Sequence, residues 1–185
     1  ARICAENPES TFLPATGTLH VARWPEHVSF RRDESLPRID AGFGEGDAVT
    51  PHYDSMIAKL IVWGADRAQA LARLDAALRD THLVGPATNV AFLRRVVASR
   101  SFATAELDTA LIEREREVLF GGTGLAPEWV AAGVLAHELE AERSQEDADP
   151  WSRRDGWRLH GGAQRRFELD LGPERHAVSV RRRHG

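Results

Sequence analysis

One nearly continuous apolar run places the strongest limit on the fold of this chain. The run covers residues 55–63, with the sequence SMIAKLIVW, and Gly64 ends it. A strand that is buried on both faces has this pattern, whereas a strand with one solvent-exposed face alternates apolar and polar residues. We therefore predict a buried strand here, which requires further strands beside it and helices to cover it.

Shorter segments in both halves of the chain predict additional strands. They share an alternation of apolar and polar residues or a short apolar run between turns, and they are residues 18–23, 27–31, 158–160, 167–171 and 177–181. The last three segments are too few to close a barrel. We therefore expect the second half of the chain to contain an incomplete barrel.

Four helices are predicted from apolar stripes at helical spacing. They begin after Asp66, after Thr88 or Asn89, near Asp108 and at Pro127. Aspartate, threonine and asparagine are common helix N-caps, and proline is frequent in the first helical turn. These side chains are therefore interpreted as structural, and Asn89 as a helix cap rather than a ligand contact.

Composition and charge narrow the classes of partner. The net charge is −4, which does not favour nucleic-acid binding, and no apolar run approaches the roughly 20 residues that span a bilayer. Cys4 is the single cysteine, so neither an intramolecular disulfide nor a cysteine-based zinc site is predicted. The histidines have no metal-ligand spacing. We expect no nucleic-acid partner, no membrane partner and no metal ligand in this chain.

The first residue and the methionine content suggest a piece of a longer protein. The sequence opens at Ala1, its one methionine is Met56, and it has no signal peptide. We therefore expect these residues to be part of a longer polypeptide.

Three motifs lie in a fixed order in the first hundred residues. They are RICAENP at 2–8 with FLP at 12–14, HYDSMIAKL at 52–60, and TNVAFL at 88–93. In this order and spacing they resemble the C-terminal domain of biotin carboxylase, the last part of the ATP-grasp carboxylase of acyl-CoA carboxylases and pyruvate carboxylase. The resemblance covers residues 1–118.

A second, looser resemblance concerns the end of the chain. The segment PWSRRDGWRL at 150–159, after a helix, is similar to the start of the domain that docks methylcrotonoyl-CoA carboxylase α subunits onto the carboxyltransferase β subunit. Together the two resemblances imply an α+β fold, an antiparallel sheet with helices of the ATP-grasp carboxylase type, followed by a helix and the first strands of an incomplete β-barrel. The expected boundaries are 1–120 for the first domain, 121–126 for a glycine-rich hinge and 127–185 for the truncated docking domain.

The first resemblance implies ATP-dependent and bicarbonate-dependent carboxylation of biotin. In the family, ATP activates bicarbonate as carboxyphosphate, which gives carbon dioxide to a ureido nitrogen of biotin on a carrier domain. Arg2 matches the arginine that holds bicarbonate and the biotin enolate, and arginine suits this role because it stays charged and offers a planar fork of donors. Asp54 matches an acidic residue near that site. A surface salt bridge for Arg2 and a structural ion pair for Asp54 remain the alternatives.

The family's cofactor residues do not match positions of this chain. Biotin, ATP and magnesium are implied for the full-length enzyme, but the ATP and magnesium ligands would precede Ala1 and the biotinyl lysine would follow downstream. Lys59 lies in the apolar run and is rejected as an attachment site. We therefore expect the 185 residues alone to be inactive as a carboxylase.

The resemblance leaves the final substrate open. Methylcrotonoyl-CoA carboxylation in leucine breakdown is favoured, and a propionyl-CoA, acetyl-CoA or pyruvate carboxylase is the alternative. A non-catalytic interaction module that stands alone is the rival from another class. The implied partners are a biotin carboxyl carrier domain and a carboxyltransferase β subunit in a homo- or hetero-oligomer. The implied compartment is the bacterial cytoplasm, or the mitochondrial matrix of a eukaryote.

Overall fold

The computed structural model describes residues 1–121, 126–152, 164–171 and 174–181. The chain divides into two units, Ala1–Gly122 and Thr123–Gly185. The strands are β1 (Arg2–Cys4), β2 (Glu6–Asn7), β3 (Leu13–Pro14), β4 (Gly17–Thr18), β5 (Val21–Arg23), β6 (Arg38–Ala41), β7 (Ala48–Val49), β8 (Met56–Ile61), β9 (His82–Val84), β10 (Gln164–Leu171) and β11 (Glu174–Arg181). The helices are α1 (Arg67–Arg79), α2 (Val90–Ala98), α3 (Arg100–Ala103), α4 (Leu111–Arg114), α5 (Arg116–Phe120) and α6 (Pro127–Arg143).

The first unit is built on an antiparallel three-stranded sheet in the order β1-β8-β6. The predicted apolar run forms β8, the middle strand, so both of its edges are hydrogen-bonded. Ile57 and Leu60 of β8 are fully buried, as are Ile3 of β1 and Ile39 of β6. The prediction of a buried strand is confirmed for Ile57, Ala58 and Leu60, whereas Lys59 and Ile61 on the face of Ile57 are exposed, so β8 is not buried on both faces along its whole length.

Helices α1 and α2 share one hydrophobic core with this sheet. Ala77, Leu78 and Val97 belong to the same buried cluster as the sheet residues. Asp66 caps α1 as predicted, because its Oδ1 accepts the Gln69 N–H at 2.7 Å. Both helices are therefore tied to the strands that carry the candidate site.

The segment predicted as one strand at residues 18–23 forms two strands. Between β4 and β5, the Leu19 N–H donates to the Asp47 carbonyl at 2.9 Å, and the His20 N–H donates to the Val84 carbonyl at 2.7 Å. The chain thus leaves its partner β7 and joins β9. A single strand cannot continue through this change of partner.

The strand predicted at residues 27–31 is wrong. Phe30 has a φ of +55°, and Val28 makes only an isolated bridge to Arg38. The Phe30 N–H donates to the Asp40 carboxylate at 2.8 Å instead of to a strand. Positive φ interrupts an extended strand, so this segment contacts β6 without forming a strand beside it.

The third predicted helix begins at Leu111 instead of near Asp108, and it is broken. Glu115 separates α4 from α5, and its carboxylate accepts the Ser101 hydroxyl. The rings of Phe12, Phe92 and Phe120 then hold α5 against α2, with centroids 4.9 Å apart for Phe12–Phe92 and 5.3 Å apart for Phe92–Phe120. Side-chain contacts with residues distant in sequence thus lie at the break and at the packing surface of α5.

The second unit contains α6 and an antiparallel hairpin of β10 and β11. Pro127 occupies the first turn of α6, as predicted. One face of the hairpin carries half-buried apolar side chains, which are Phe167, Leu169, Val178 and Val180. The predicted strands at 167–171 and 177–181 are confirmed and extended. The predicted strand at 158–160, and residues 122–125 of the expected hinge, lie outside the described residues.

The pairing pattern confirms the predicted fold class. Every paired set of strands in the described ranges is antiparallel. Antiparallel sheets with helices collected beside them define an α+β fold. The described strands of the second unit form one two-stranded sheet and no closed barrel.

Candidate functional site

Arg2 lies on β1, an edge strand of the central sheet. It is directly opposite Lys59 of β8, and Lys59 is opposite Asp40 of β6. Arg2 and Lys59 are exposed, whereas the neighbouring Ile3 is fully buried. The sheet therefore presents two cations side by side on its solvent face.

The nearest carboxylate in this row is already paired with another arginine. The Arg38 guanidinium donates to Asp40 from Nε at 2.8 Å and lies within 2.7 Å of it through Nη2. Hydrogen bonding by Arg38 lowers the pKa of the Asp40 carboxyl. Among the residues that the structure describes, no carboxylate forms an ion pair with Arg2 or Lys59. The Lys59 charge also helps to lower the pKa of Asp40, but Arg2, Lys59 and Arg38 together exceed the single negative charge of Asp40, and this excess of positive charge attracts an anion.

Asp54 lies in the loop that leads into β8. Its Oδ1 accepts the Met56 N–H at 2.8 Å, so one carboxylate oxygen holds the loop in shape. Asp54 is exposed, as are His52 and Tyr53 before it. The structure places Asp54 at the start of the strand that faces Arg2, but no ion pair joins the two in the described ranges.

The charges of Arg2 and Asp54 both act on the Cys4 thiol. Burial raises the pKa of this thiol, and the negative charges of Glu6 and Asp54 raise it further, while Arg2 has the opposite effect. A thiol with a raised pKa stays protonated near neutral pH and is a poor nucleophile. The charges of Arg2 and Asp54 therefore both reach the region around Cys4. We assign Cys4 itself no chemical role.

Glu6 was not singled out from the sequence, yet it forms part of this region. Its carboxylate accepts the Ser55 hydroxyl at 2.7 Å, and the Ala5 N–H donates to the Ser55 carbonyl at 2.7 Å. These two bonds join the end of β1 to the loop that contains Asp54. The one local signal that could have identified Glu6 is its place in the RICAENP motif, directly before Asn7.

Asn89 occupies the N-cap position of α2, as predicted, but its side chain does not act as the cap. Instead, its Oδ1 accepts the Cys4 N–H at 2.9 Å and its Nδ2 donates to the Arg2 carbonyl at 3.2 Å. Sequence reasoning missed this contact because the partners lie 87 and 85 residues away along the chain.

The residues described do not form a metal site, and a separate cavity lies away from Arg2. Within the described ranges, no group of three or more histidine, cysteine, aspartate or glutamate side chains could hold a metal ion. A cavity of about 300 Å³ is lined by Trp63, Arg73 and Leu36 among others, and it includes neither Arg2 nor Asp54. None of the helices in the described part of the chain is both long enough and apolar enough to cross a membrane.

Two family models match the chain in succession. The biotin carboxylase C-terminal domain matches residues 1–114, and the BT domain of the methylcrotonyl-CoA carboxylase alpha subunit matches residues 126–185. The first model alone covers more than half of the chain.

Relatives and solved structures agree with these matches. The mitochondrial methylcrotonoyl-CoA carboxylase subunit alpha of Dictyostelium discoideum is 35% identical over 185 residues, covering 97% of this chain and 26% of the relative. The same subunit of Glycine max is 37% identical, covering 92% of this chain and 25% of the relative. The biotin carboxylase domain of Hydrogenobacter thermophilus 2-oxoglutarate carboxylase, solved with MgADP, ADP and bicarbonate, has a TM-score of 0.58 and 29% identity over 64% of this chain and 25% of that chain. The chain thus spans about a quarter of the length of these relatives.

Proposed function

The chain belongs to the biotin carboxylase C-terminal domain family, and from this premise we propose that it is part of the biotin-containing α subunit of an acyl-CoA carboxylase of the methylcrotonoyl-CoA type. The observation that carries the proposal is the order of two family domains in one chain, at residues 1–114 and 126–185. Two relatives named as this subunit match along more than nine-tenths of the chain. Propionyl-CoA, acetyl-CoA and pyruvate carboxylases are the competing assignments.

We assign the two regions different tasks within the subunit. Residues 1–120 complete the biotin carboxylase, which meets the biotin on a carrier domain. Residues 127–185 begin the region that docks onto a carboxyltransferase β subunit, with 121–126 as the connection. The helix α6 and the hairpin of β10 and β11 are structural elements of that docking region. The assigned compartment is the mitochondrial matrix if the source is a eukaryote, in line with the two relatives named as mitochondrial, or the cytoplasm of a bacterium.

Arg2 is assigned to the substrate anion. Carboxylation needs a bound bicarbonate and then a biotin ureido group whose oxygen becomes negative. A guanidinium supplies two parallel charged donors for either oxygen, and its charge stabilises the anion most when no carboxylate already neutralises it. The arrangement of Arg2 beside Lys59, with Asp40 occupied by Arg38, supports this role. Asp54 is assigned to the rim of the same site.

ATP and magnesium are assigned to other parts of the full-length subunit. Residues that precede this chain in the full-length subunit would hold the ATP and the magnesium, as the family resemblance implies. ATP supplies the phosphoryl group that activates bicarbonate, and the solved relative with MgADP and bicarbonate is consistent with that chemistry in the family. Within this chain, Arg2 binds and orients the anion and the helices hold its strand.

The experiment is a carboxylation assay on the full-length subunit purified with its β subunit. The acceptors are methylcrotonoyl-CoA, propionyl-CoA, acetyl-CoA and pyruvate, with labelled bicarbonate and ATP. We expect methylcrotonoyl-CoA to be carboxylated fastest, and Arg2→Ala to reduce biotin carboxylation by about a hundredfold or more. Arg23→Ala is the matched control, because Arg23 is an exposed arginine on β5 away from this site.

Three results would contradict the proposal. Preference for another acceptor would replace the assigned substrate, while leaving the carboxylase assignment intact. Full activity of Arg2→Ala would remove Arg2 from the site. A subunit that carries no biotin, tested by streptavidin blotting, would favour the non-catalytic interaction module.

A further inference from the structure

The side chain of Asn89 bonds to the outer edge of β1. It accepts the Cys4 N–H at 2.9 Å and donates to the Arg2 carbonyl at 3.2 Å. Its backbone N–H also donates to the Cys4 carbonyl at 3.1 Å. The other edge of β1 pairs with β8. Asn89 therefore occupies the place of a neighbouring strand and satisfies the peptide groups on both sides of Ile3.

Burial makes these bonds hard to replace. Asn89 is only 7% exposed, so water does not readily take over its contacts. Leaving a buried backbone group without a hydrogen-bond partner costs more free energy than an average hydrogen bond contributes to stability. A carboxamide offers an acceptor and a donor in one plane, which matches an N–H and a C=O on the same strand. Aspartate offers only the acceptor, and alanine offers neither.

Asn89 is itself held in place by the core. Its carbonyl accepts the Leu93 N–H at 2.9 Å, so Asn89 is fixed to the start of α2 as the N-cap residue. That helix contributes Val97 to the main core cluster. The asparagine is thus a rigid link between a core helix and a short edge strand.

We propose that Asn89 is a positioning residue for Arg2. No carboxylate pairs with the Arg2 guanidinium in the described ranges, so the strand backbone sets the direction in which this side chain leaves the sheet. Asn89 bonds to that backbone at Arg2 itself and at Cys4. The inference rests on the proposed role of Arg2 in binding the substrate anion.

The test is a double-mutant cycle in the full-length subunit. The variants are Asn89→Ala, Arg2→Ala and the combination. Thr81→Val is the matched control, because Thr81 is equally buried at 6% exposure and its hydroxyl donates to the Ala77 carbonyl at 2.8 Å, away from β1. The measurements are kcat, the KM values for bicarbonate and ATP, and the thermal midpoint.

We expect Asn89→Ala to lower kcat/KM for bicarbonate by about tenfold to a hundredfold, since small misplacements of a binding group have effects of this size. The KM for ATP should stay unchanged. In the Arg2→Ala background, the same substitution should cause less than about a twofold further loss, because Asn89 acts through Arg2. Thr81→Val should lower the thermal midpoint and leave the kinetic constants unchanged.

Several results would overturn the inference. They are an unchanged kcat/KM in Asn89→Ala, an equal rise in both KM values, or the same loss in the presence and absence of Arg2. If Arg2→Ala has no measurable rate, the cycle cannot be completed. The inference then stands or falls on whether Asn89→Ala changes the KM for bicarbonate while the KM for ATP stays the same. If Asn89→Ala does not fold, Asn89→Asp takes its place in the cycle, because it retains only the acceptor for Cys4. Full activity of Arg2→Ala would instead refute the proposed role of Arg2, so the two failures are distinguishable.

Discussion

Two glycines with positive φ differ in what surrounds them. Gly85 has a φ of +145° and Gly46 a φ of +93°. A Cβ on Gly85 would collide with the Thr18 carbonyl oxygen, whereas a Cβ on Gly46 would meet nothing within 4 Å. Gly85 therefore has both a conformational and a steric reason to be glycine.

Replacing Gly46 or Gly85 by alanine should therefore destabilise the protein to different extents. We expect Gly46→Ala to reduce the free energy of unfolding by about 1 kcal/mol through backbone strain alone. Gly85→Ala should reduce it by about 3 kcal/mol or more, because the strand β4 must also move. Urea unfolding of the two variants measures both values. Equal losses would mean that the Thr18 carbonyl moves aside freely.

The Asp33 carboxylate accepts several hydrogen bonds within a turn, and its pKa is unusually low. The carboxylate accepts the Ser35 hydroxyl at 2.7 Å, the Ser35 N–H at 2.8 Å and the Leu36 N–H at 3.0 Å. These bonds, the hydroxyl first, lower the pKa of Asp33 from 3.8 to about 2. Because the folded pKa is the lower one, the turn's contribution to stability is complete above the ordinary value and is lost as the pH falls through about 2.

Carbon-13 NMR titration of the Asp33 carboxyl tests this directly. We expect a midpoint near pH 2 in the folded protein. Ser35→Ala should raise the midpoint, because it removes the hydroxyl donor while retaining both N–H donors. A midpoint at the ordinary value in the unmodified chain would show that the turn does not persist in solution.

At the level of elements, the aromatic cluster of Phe12, Phe92 and Phe120 holds α5 in place. We expect Phe120→Ala to destabilise the unit by about 1–3 kcal/mol, less than a fully buried phenylalanine would. Amide hydrogen exchange should accelerate in α4 and α5 and remain unchanged in α1. Val118→Ala is the control, since Val118 lies on the same helix and is 62% exposed. Equal acceleration throughout the unit would contradict a local role.

Elements with a signal inside their own segment were predictable from the sequence. The run that forms β8, the Asp66 cap of α1 and the Pro127 start of α6 all depend on residues within or next to the element. The break between β4 and β5 was not predictable, because it depends on the carbonyl of Asp47, just before β7, and on the carbonyl of Val84 in β9. Short strands such as β6 and β9 likewise lack a pattern long enough to recognise.

The residues of the candidate site also separate into those with a local sequence signal and those without one. Arg2 and Asp54 came from motifs whose order resembles a family. Asn89 was interpreted as a cap, because asparagine before an apolar helix usually has that role. Its bonds to Arg2 and Cys4 depend on tertiary packing, and nothing within several residues of Asn89 indicates them.

At the scale of the whole molecule, the described residues of the two units differ in how many apolar side chains are buried. The first unit has a continuous core that includes Ile3, Leu60 and Leu78. In the described part of the second unit, Ala131 is the one buried apolar residue, and Trp129 on the same helix is 74% exposed. A two-stranded sheet is marginal in water without extensive packing.

The two units should therefore differ in cooperativity when they are produced separately. We expect residues 1–122 to melt in one sharp transition with a strong near-ultraviolet circular dichroism signal, because the core lies within this unit. Residues 123–185 should melt broadly, at a midpoint lower by about 10 °C or more, since a few kcal/mol of missing stability shifts the midpoint by this amount in a small domain. The Asn89 carboxamide protons in the first fragment should also resist exchange, which reports whether its bonds to β1 persist without the second unit. A sharp transition of residues 123–185 at the higher temperature would show that the second unit contains a core of its own.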